Sequence, residues 1–505
     1  MKNQVQLITY INRLTGGGIP ELAALLNGPL AGVFGGVHLL PFFHPIDGSD
    51  AGFDPIDHTA VDFRLGTWED IRALGSSVEL MADLIVNHVS NQSPQFLDYS
   101  CNGDSSAYAG MFLTYDRVFP NGATEADLLC IYRPRPGLPF TYTMLANGEK
   151  RLLWTTFTPQ QVDIDVKHPQ GKAYLDAILG CFREAGIRAI RLDAVGYAIK
   201  KAGTSCFMIP ETFEFIRELT TQAHALGIEV LVEIHSHYLK QTEIARQVDW
   251  VYDFALPPLV LHALYHADVQ PLLAWLRVRP NNAITVLDTH DGIGVIDVGG
   301  DAQGTPGILE PSAIELLVET MHRRSNGQSR KATGAAANNL DLYQINCTYY
   351  DALGQNDTEY LIARAVQFFV PGIPQVYYTG LLAGSNDMAL LQRSGVGRNI
   401  NRHYYTQDEV RTDLSKEVVR KLIELIRFRN SHPAFSGEAT IQCPAKHTLS
   451  IAWRRQSDWA VLVVDFGAAE ARIEYSSKEA DGAKSILIGV HQRAETQAVS
   501  QERAQ

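Results

Sequence analysis

The sequence predicts an α/β protein: a closed (β/α)8 TIM barrel with two inserted subdomains at the catalytic face and a C-terminal β-domain. Three observations predict it. Eight short apolar, β-prone runs recur along the chain, helical patterns lie between most of them, and no GxGxxG follows the first run. Alternation of strand and helix implies a parallel sheet, and eight such units favour a closed barrel over an open doubly wound sheet.

The runs stand at 6–10 (QLITY), 36–42 (GVHLLPF), 80–88 (LMADLIVNH), 187–195 (IRAIRLDAV), 228–235 (IEVLVEIH), 250–257 (WVYDFALP), 283–291 (AITVLDTHD) and 372–378 (GIPQVYY). Apolar runs of this length suit strands covered on both faces. In 170–184, Leu175, Ile178, Leu179 and Phe182 fall on one helical stripe. In 212–226, Ile216, Leu219, Ala223 and Leu226 do the same, with Gly227 as the stop. Two connections are too long for loops: 89–165, which contains RPRPGLPF (133–140), and 293–354, which carries a short helix near 312–323. After a last helix over 416–430 the pattern changes to short strands, TLSIAW, WAVLVVDF and ARIEY, and the tail HQRAETQAVSQERAQ is polar. The division expected is barrel over 1–88, 166–292 and 355–434, inserted units over 89–165 and 293–354, and the β-domain over 435–505.

Composition narrows the function. With 505 residues, 46% of them hydrophobic, the chain can bury a large core. The 43 basic and 56 acidic residues give a net charge of −13, and no long Lys/Arg run interrupts it, which argues against nucleic acid or an anionic membrane as partner. The six cysteines are dispersed without a CxxC pair or zinc-site spacing, so they read as free thiols of a reducing cytosol. The first residues lack a basic segment followed by a long apolar one, and no apolar stretch is long enough to cross a bilayer. A soluble cytoplasmic protein acting on a small neutral substrate is the expectation, with no cofactor and no metal.

Three of the runs lead to an acid: RLDAVG to Asp193, LVEIH to Glu233 and LDTHD to Asp291. In a parallel barrel the C-terminal strand ends converge on the mouth. One such acid is more often a helix cap or an ion-pair partner. Three together, with Arg191, His88 and His290 also at strand ends, are costly to crowd unless chemistry needs them. Retaining glycosyl transfer needs a carboxylate nucleophile, a carboxylic acid to protonate the leaving oxygen, and a stabiliser for the oxocarbenium-like transition state. Asp193 suits the nucleophile, because Arg191 at period two can keep it ionised. Glu233, on a strongly apolar strand near other acids that would raise its pKa, suits the proton donor. Asp291 with His290 would grip hydroxyls and favour positive charge at the anomeric carbon. Asp83 is as readily structural, bonding backbone amides from the barrel wall, and so is Asn87.

These segments resemble a known family. DLIVNH, RLDAVG, VEIH and LDTHD look like the four characteristic regions of the α-amylase superfamily (glycoside hydrolase family 13), and QVDID (161–165) resembles its fifth. Within it the chain is most similar to the sucrose phosphorylase group, through PFFHPIDGSDAGFDPIDH, IYRPRPGLPF, YDFALPPL, LDTHDGIGVIDVG, TGAAANNLDLYQIN and GRNINRHYY among others. The resemblance implies Asp193 as nucleophile, Glu233 as acid/base and Asp291 as stabiliser, in agreement with the physical assignment. It implies a glucosyl subsite completed by Asp50, Phe53, His88, Arg191, His290 and Arg398. It implies a second subsite, for fructose and then phosphate, drawn from Tyr132, Pro134, Arg135, Tyr197, His235, Asp341, Leu342, Tyr343 and Gln344.

Phosphate must replace fructose while water is kept out, and an arginine fork on a mobile loop suits that task; Arg133 and Arg135 both offer one. The Gly- and Ala-rich TGAAANN suits a loop that changes conformation. Amylases often hold calcium near the asparagine of the NH region, but Asn87 has no cluster of acids close in sequence, and this group is not known for needing the ion. The implied substrates are sucrose and inorganic phosphate, handled by a monomer or homodimer. The alternatives are phosphorolysis of glucosylglycerate, glucosylglycerol or sucrose 6′-phosphate, and a non-catalytic amylase-like binding protein, which would usually lose the acids and carry a membrane span.

Overall fold

The computed structural model describes residues 1–48, 50–133, 137–301, 304–334, 344–477 and 483–489. Eight parallel strands close a barrel: β1 (Gln6–Thr9), β2 (Gly36–Leu39), β3 (Glu79–Ile85), β4 (Ala189–Asp193), β5 (Glu229–Val232), β6 (Trp250–Asp253), β7 (Ala283–Thr285) and β8 (Ile373–Tyr377). Each pairs with its sequence neighbours, and β1 pairs with β8 to close the ring. All eight runs read from the sequence contain barrel strands. They are buried on both faces because helices such as Pro169–Glu184 and Pro210–Ala225 cover the outside. Leu175, Ile178, Leu179 and Phe182 are buried on the first of these, and Gly227, at φ +73°, takes the left-handed turn after the second.

Two boundaries differ from the sequence reading. β3 ends at Ile85, and His88 opens a separate short strand, His88–Ser90, which pairs antiparallel with Gln161–Asp163. β7 stops at Thr285, so Asp291 lies well past the strand rather than at its end. The physical reason is Asp288. Its carboxylate accepts from Arg364 at 2.6 Å and from the backbone N–H of Tyr377, which turns the chain across the barrel end instead of prolonging the ladder.

Between β3 and β4 lie short helices and a hairpin, Phe140–Met144 with Lys150–Trp154, around a small core of its own that includes Leu113, Phe119 and Trp154. Between β7 and β8, Ile293–Gly294 pairs with Gln344–Ile345, and the helix Asp357–Phe369 follows. The C-terminal sheet has five antiparallel strands, two of which, Glu438–Ala445 and Ala483–Ile488, the sequence reading does not find. Both are edge strands, largely exposed and without a strong apolar run. Trp453 ties this sheet to the barrel by donating from Nε1 to the carbonyl of Phe369 at 2.7 Å. Among the described residues no helix is long and apolar enough to cross a membrane. All six cysteines are free.

Candidate active site

The barrel interior carries buried charge. Asp83 of β3 and Arg191 of β4 are register partners, so their side chains leave the sheet on the same side. Arg191 donates to Asp83 Oδ1 at 2.6 Å and to Asp193 Oδ1 at 2.8 Å, and its other terminal nitrogen lies 3.7 Å from Glu233 Oε1. His38 Nε2 reaches the second Asp83 oxygen at 3.2 Å. Asp83 therefore bonds buried basic side chains, not backbone amides as the sequence reading allowed. Burial would raise its pKa, but His38 and Arg191 bring it down to about 2.

Asp193 is the last residue of β4, and Ala194 after it adopts φ +55°, a left-handed turn unusual for alanine that swings the chain away from the strand direction. Arg191 bonds Asp193 as the sequence reading expects, but it is not the only influence on that carboxyl. Burial pushes this carboxyl well above the ordinary range. Arg191 opposes that, but its one charge is divided with Asp83 and Glu233, and Glu233, Asp83 and Asp291 add to the upward push. Asp291 is the reverse case. Burial would raise it, yet Arg398 at 2.9 Å, His290, Arg402 at 3.8 Å and Arg191 hold it far below.

The loop that carries Asp291 is fixed through its backbone. Asn401 Nδ2 donates to the Asp291 carbonyl at 2.8 Å and Arg402 Nε to that of His290 at 2.8 Å. Burial lowers the His290 pKa to about 3, so the ring is neutral, and it stacks on Phe53 with centroids 4.8 Å apart. His88 donates from Nε2 to the Phe53 carbonyl at 3.0 Å.

One pocket gathers Asp50, Phe53, His88, Asp193, Tyr197, Glu233, His235, His290, Asp291, Gln344 and Arg398. Arg191 lies beneath it, 2% exposed. Tyr132 is in the neighbouring crevice, stacked on Phe207 at 4.4 Å, and Phe207 in turn packs on Tyr197 at 4.7 Å. Arg133 is bonded back to the Gly137 carbonyl at 2.9 Å. Pro134, Arg135, Asp341, Leu342 and Tyr343, with most of TGAAANN, lie outside the described residues.

Sequence reasoning missed Phe157 and Phe207, which line the pocket, and Arg402 behind it. A signal existed for Phe207. A Cβ on Gly196 would sit 2.7 Å from the Phe207 ring, so the glycine of RLDAVG is what admits it. Lys200 was missed as well. Its almost fully buried ammonium lies 2.8 Å from Asp163 Oδ2, donates to Asn87 Oδ1 at 2.8 Å, and donates to the Tyr197 carbonyl. This tethered cation fills the oxygen cluster beside Asn87 and joins the segment after β3 to the loop after β4. Glu233, His235 and Asp291 offer ligand atoms within 4.8 Å of one another. Arg398 engages Asp291 and Arg191 approaches Glu233, so both carboxylates of this group already have a cationic partner.

A closed parallel barrel with three carboxylates and a buried arginine gathered at one pocket is the arrangement of a carbohydrate-active enzyme of the α-amylase type. The family described as alpha amylase, catalytic domain, matches residues 32–256. The chain belongs to this family, in the branch that holds the sucrose phosphorylases. It is 62% identical to sucrose phosphorylase of Agrobacterium vitis over 94% of this chain and 98% of that protein. It is 51% identical to sucrose phosphorylase of Bifidobacterium adolescentis, over 97% and 99%. The crystal structure of sucrose 6F-phosphate phosphorylase from Thermoanaerobacter thermosaccharolyticum superposes with a TM-score of 0.89 at 37% identity, covering 97% of this chain and 98% of that one.

Proposed function

We propose that the protein is a sucrose phosphorylase, converting sucrose and inorganic phosphate into α-glucose 1-phosphate and fructose by a retaining double displacement. The observation that carries this reading is Arg191, bonded at once to Asp83 and Asp193 and facing Glu233, in a chain 62% identical to a sucrose phosphorylase. In the first half-reaction Asp193 attacks the anomeric carbon, the glycosidic bond breaks, and Glu233 gives its proton to the departing fructosyl oxygen. Asp291, held ionised by Arg398, faces the positive charge that develops on the ring. In the second, an oxygen of the hydrogenphosphate dianion attacks the same carbon, the electron pair of the ester bond returns to Asp193, and the phosphate proton passes to Glu233. Charge and protons balance over the cycle.

Asp50, Phe53, His88, Arg191, His290 and Arg398 form the glucosyl subsite in this reading. Tyr132, Pro134, Arg135, Tyr197, His235, Asp341, Leu342, Tyr343 and Gln344 belong to the second. The inserted units at 89–165 and 293–354 supply the rim, and the free thiols suit a reducing cytosol, as monomer or homodimer. A second reading, phosphorolysis of sucrose 6′-phosphate, is favoured by the likeness to a structure of that activity, at the lower identity of 37%. Incubation with phosphate and, in turn, sucrose, sucrose 6′-phosphate, glucosylglycerol and glucosylglycerate tests the choice. Nuclear magnetic resonance should show α-glucose 1-phosphate formed fastest from sucrose; faster turnover of another donor would replace the reading.

A further inference from the structure

His235 is not a bare ring in the pocket wall. Its Nδ1 lies 3.1 Å from Oδ2 of Asp297, a residue with no solvent exposure on the short turn Ile296–Val298. The other Asp297 oxygen accepts from the Ser236 N–H at 3.2 Å and from Gln241 Nε2 at 2.9 Å. The imidazole is clamped flat on Phe254, centroids 3.8 Å apart, and its Nε2 faces Glu233 Oε1 at 3.8 Å. The close approach depends on a glycine. A Cβ on Gly294 would collide with Asp297 Oδ2 and stand 3.2 Å from His235 Nδ1. A buried carboxylate with three fixed partners, one of them a histidine whose far nitrogen faces the acid/base carboxyl, is arranged to orient that ring and favour its protonated form.

We propose that Asp297 is a positioning residue that holds His235 as an imidazolium, and that this cation admits the phosphate anion in preference to water. The inference rests on the phosphorolysis proposed above and deepens it. Once Glu233 has given up its proton to fructose it is a carboxylate beside the vacated subsite. A second anion must then come close to it, which like charges oppose unless a cation stands beside them. His235 lines the same pocket as Glu233, with Nε2 3.8 Å from its Oε1. Among the described residues, the charged groups that act on it most strongly are Asp297 from the turn after β7, Glu233 from the end of β5 and Asp291 from the β7 loop. Arg398 and Arg191 stand behind the last two, and Tyr252 behind Phe254. His237 turns away to the Pro306 carbonyl. Burial would take the proton from His235, but Asp297, then Glu233 and Asp291, outweigh it and raise the pKa. The cation therefore persists to a higher pH than an ordinary histidine's and is lost as pH rises through the raised value.

Two measurements on the full-length enzyme test this. Sulfate is a tetrahedral dianion with no titratable proton near neutrality, so its inhibition constant against phosphate reads the charge of the subsite alone. In the parent enzyme sulfate should bind more weakly as pH rises, and in Asp297→Asn that weakening should begin at lower pH. At neutral pH the variant should also release roughly tenfold more glucose relative to glucose 1-phosphate, while the initial burst of fructose falls far less. Sulfate inhibition that ignores pH in the parent would overturn the proposal, even if the variant does not fold. So would an unchanged product ratio in a folded variant. Failure of the parent to make glucose 1-phosphate from sucrose would instead strike the functional reading itself.

Discussion

Two buried carboxylates serve this site in different ways. Asp83, under the pocket floor, grips Arg191, whose charge is permanent; Asp297, behind the pocket wall, grips His235, whose charge depends on a proton. Both acids are fully buried and each turns a basic side chain toward one of the two central carboxyls, Asp193 or Glu233. The glucosyl group is bound in both half-reactions, so the floor can use a fixed charge. In the proposed reaction the wall faces neutral fructose in one and anionic phosphate in the other, and a proton-linked charge would serve that alternation. On that reading, one barrel end would hold a constant subsite and a variable one side by side.

Removing the floor anchor should do the most damage. Asp83→Asn leaves Arg191 with an uncompensated share of buried charge, so we expect a stability loss of about 3–5 kcal/mol. Misplacement of the guanidinium should also lower kcat roughly 10²-fold on every glucosyl donor. Calorimetry and initial rates with sucrose and α-glucosyl fluoride check both. A variant that changed only phosphate use would collapse the distinction between floor and wall.

Lys200 sharpens the comparison from outside the pocket, because its charge meets Asp163, Asn87 and the Tyr197 carbonyl rather than the reacting carboxyls. Lys200→Met should cost about 3 kcal/mol of stability by leaving the buried Asp163 carboxylate without its cation. The ratio of glucose to glucose 1-phosphate should stay near the parent value at a temperature where the variant is folded. A melting temperature equal to the parent's would show that this buried charge does not hold the inserted segment.

The smallest effect is on the pH profile. The Asp193 pKa is raised, and its protonated form cannot attack, so the acid limb of kcat/KM for sucrose should lie above the ordinary aspartate value of 3.8. Activity falls as pH drops through that limb. Asp83 and Asp291, both held low, should add no limb of their own in the working range. A limb at or below the ordinary value would mean that Arg191 is not shared as its contacts indicate.

Much of this is legible in the chain and some is not, for physical reasons. The barrel strands announce themselves because burial on both faces demands unbroken apolar runs. The acids at Asp193 and Glu233 follow from strand ends. Asp291 reaches the same pocket by another route, through Asp288, Arg364 and Asn401, and sequence alone places it on a strand that is not there. Asp297 leaves no trace in any periodicity. It lies in a short turn, and its partner comes from a different strand end, so only the folded chain brings the two together. Lys200 and Arg402 are silent likewise, since a basic residue in a loop reads as surface until its partners are seen.

The central claim is that glucose passes through an ester on Asp193. The direct test is to treat Glu233→Gln with α-glucosyl fluoride in the absence of phosphate, quench in acid, digest, and weigh the peptides. Fluoride departs without the missing acid, while water is poorly activated to release the sugar. The expected result is the added mass of one glucosyl residue on the peptide that contains Asp193. Fluoride release with no adduct there, or an adduct on another carboxylate, would contradict it.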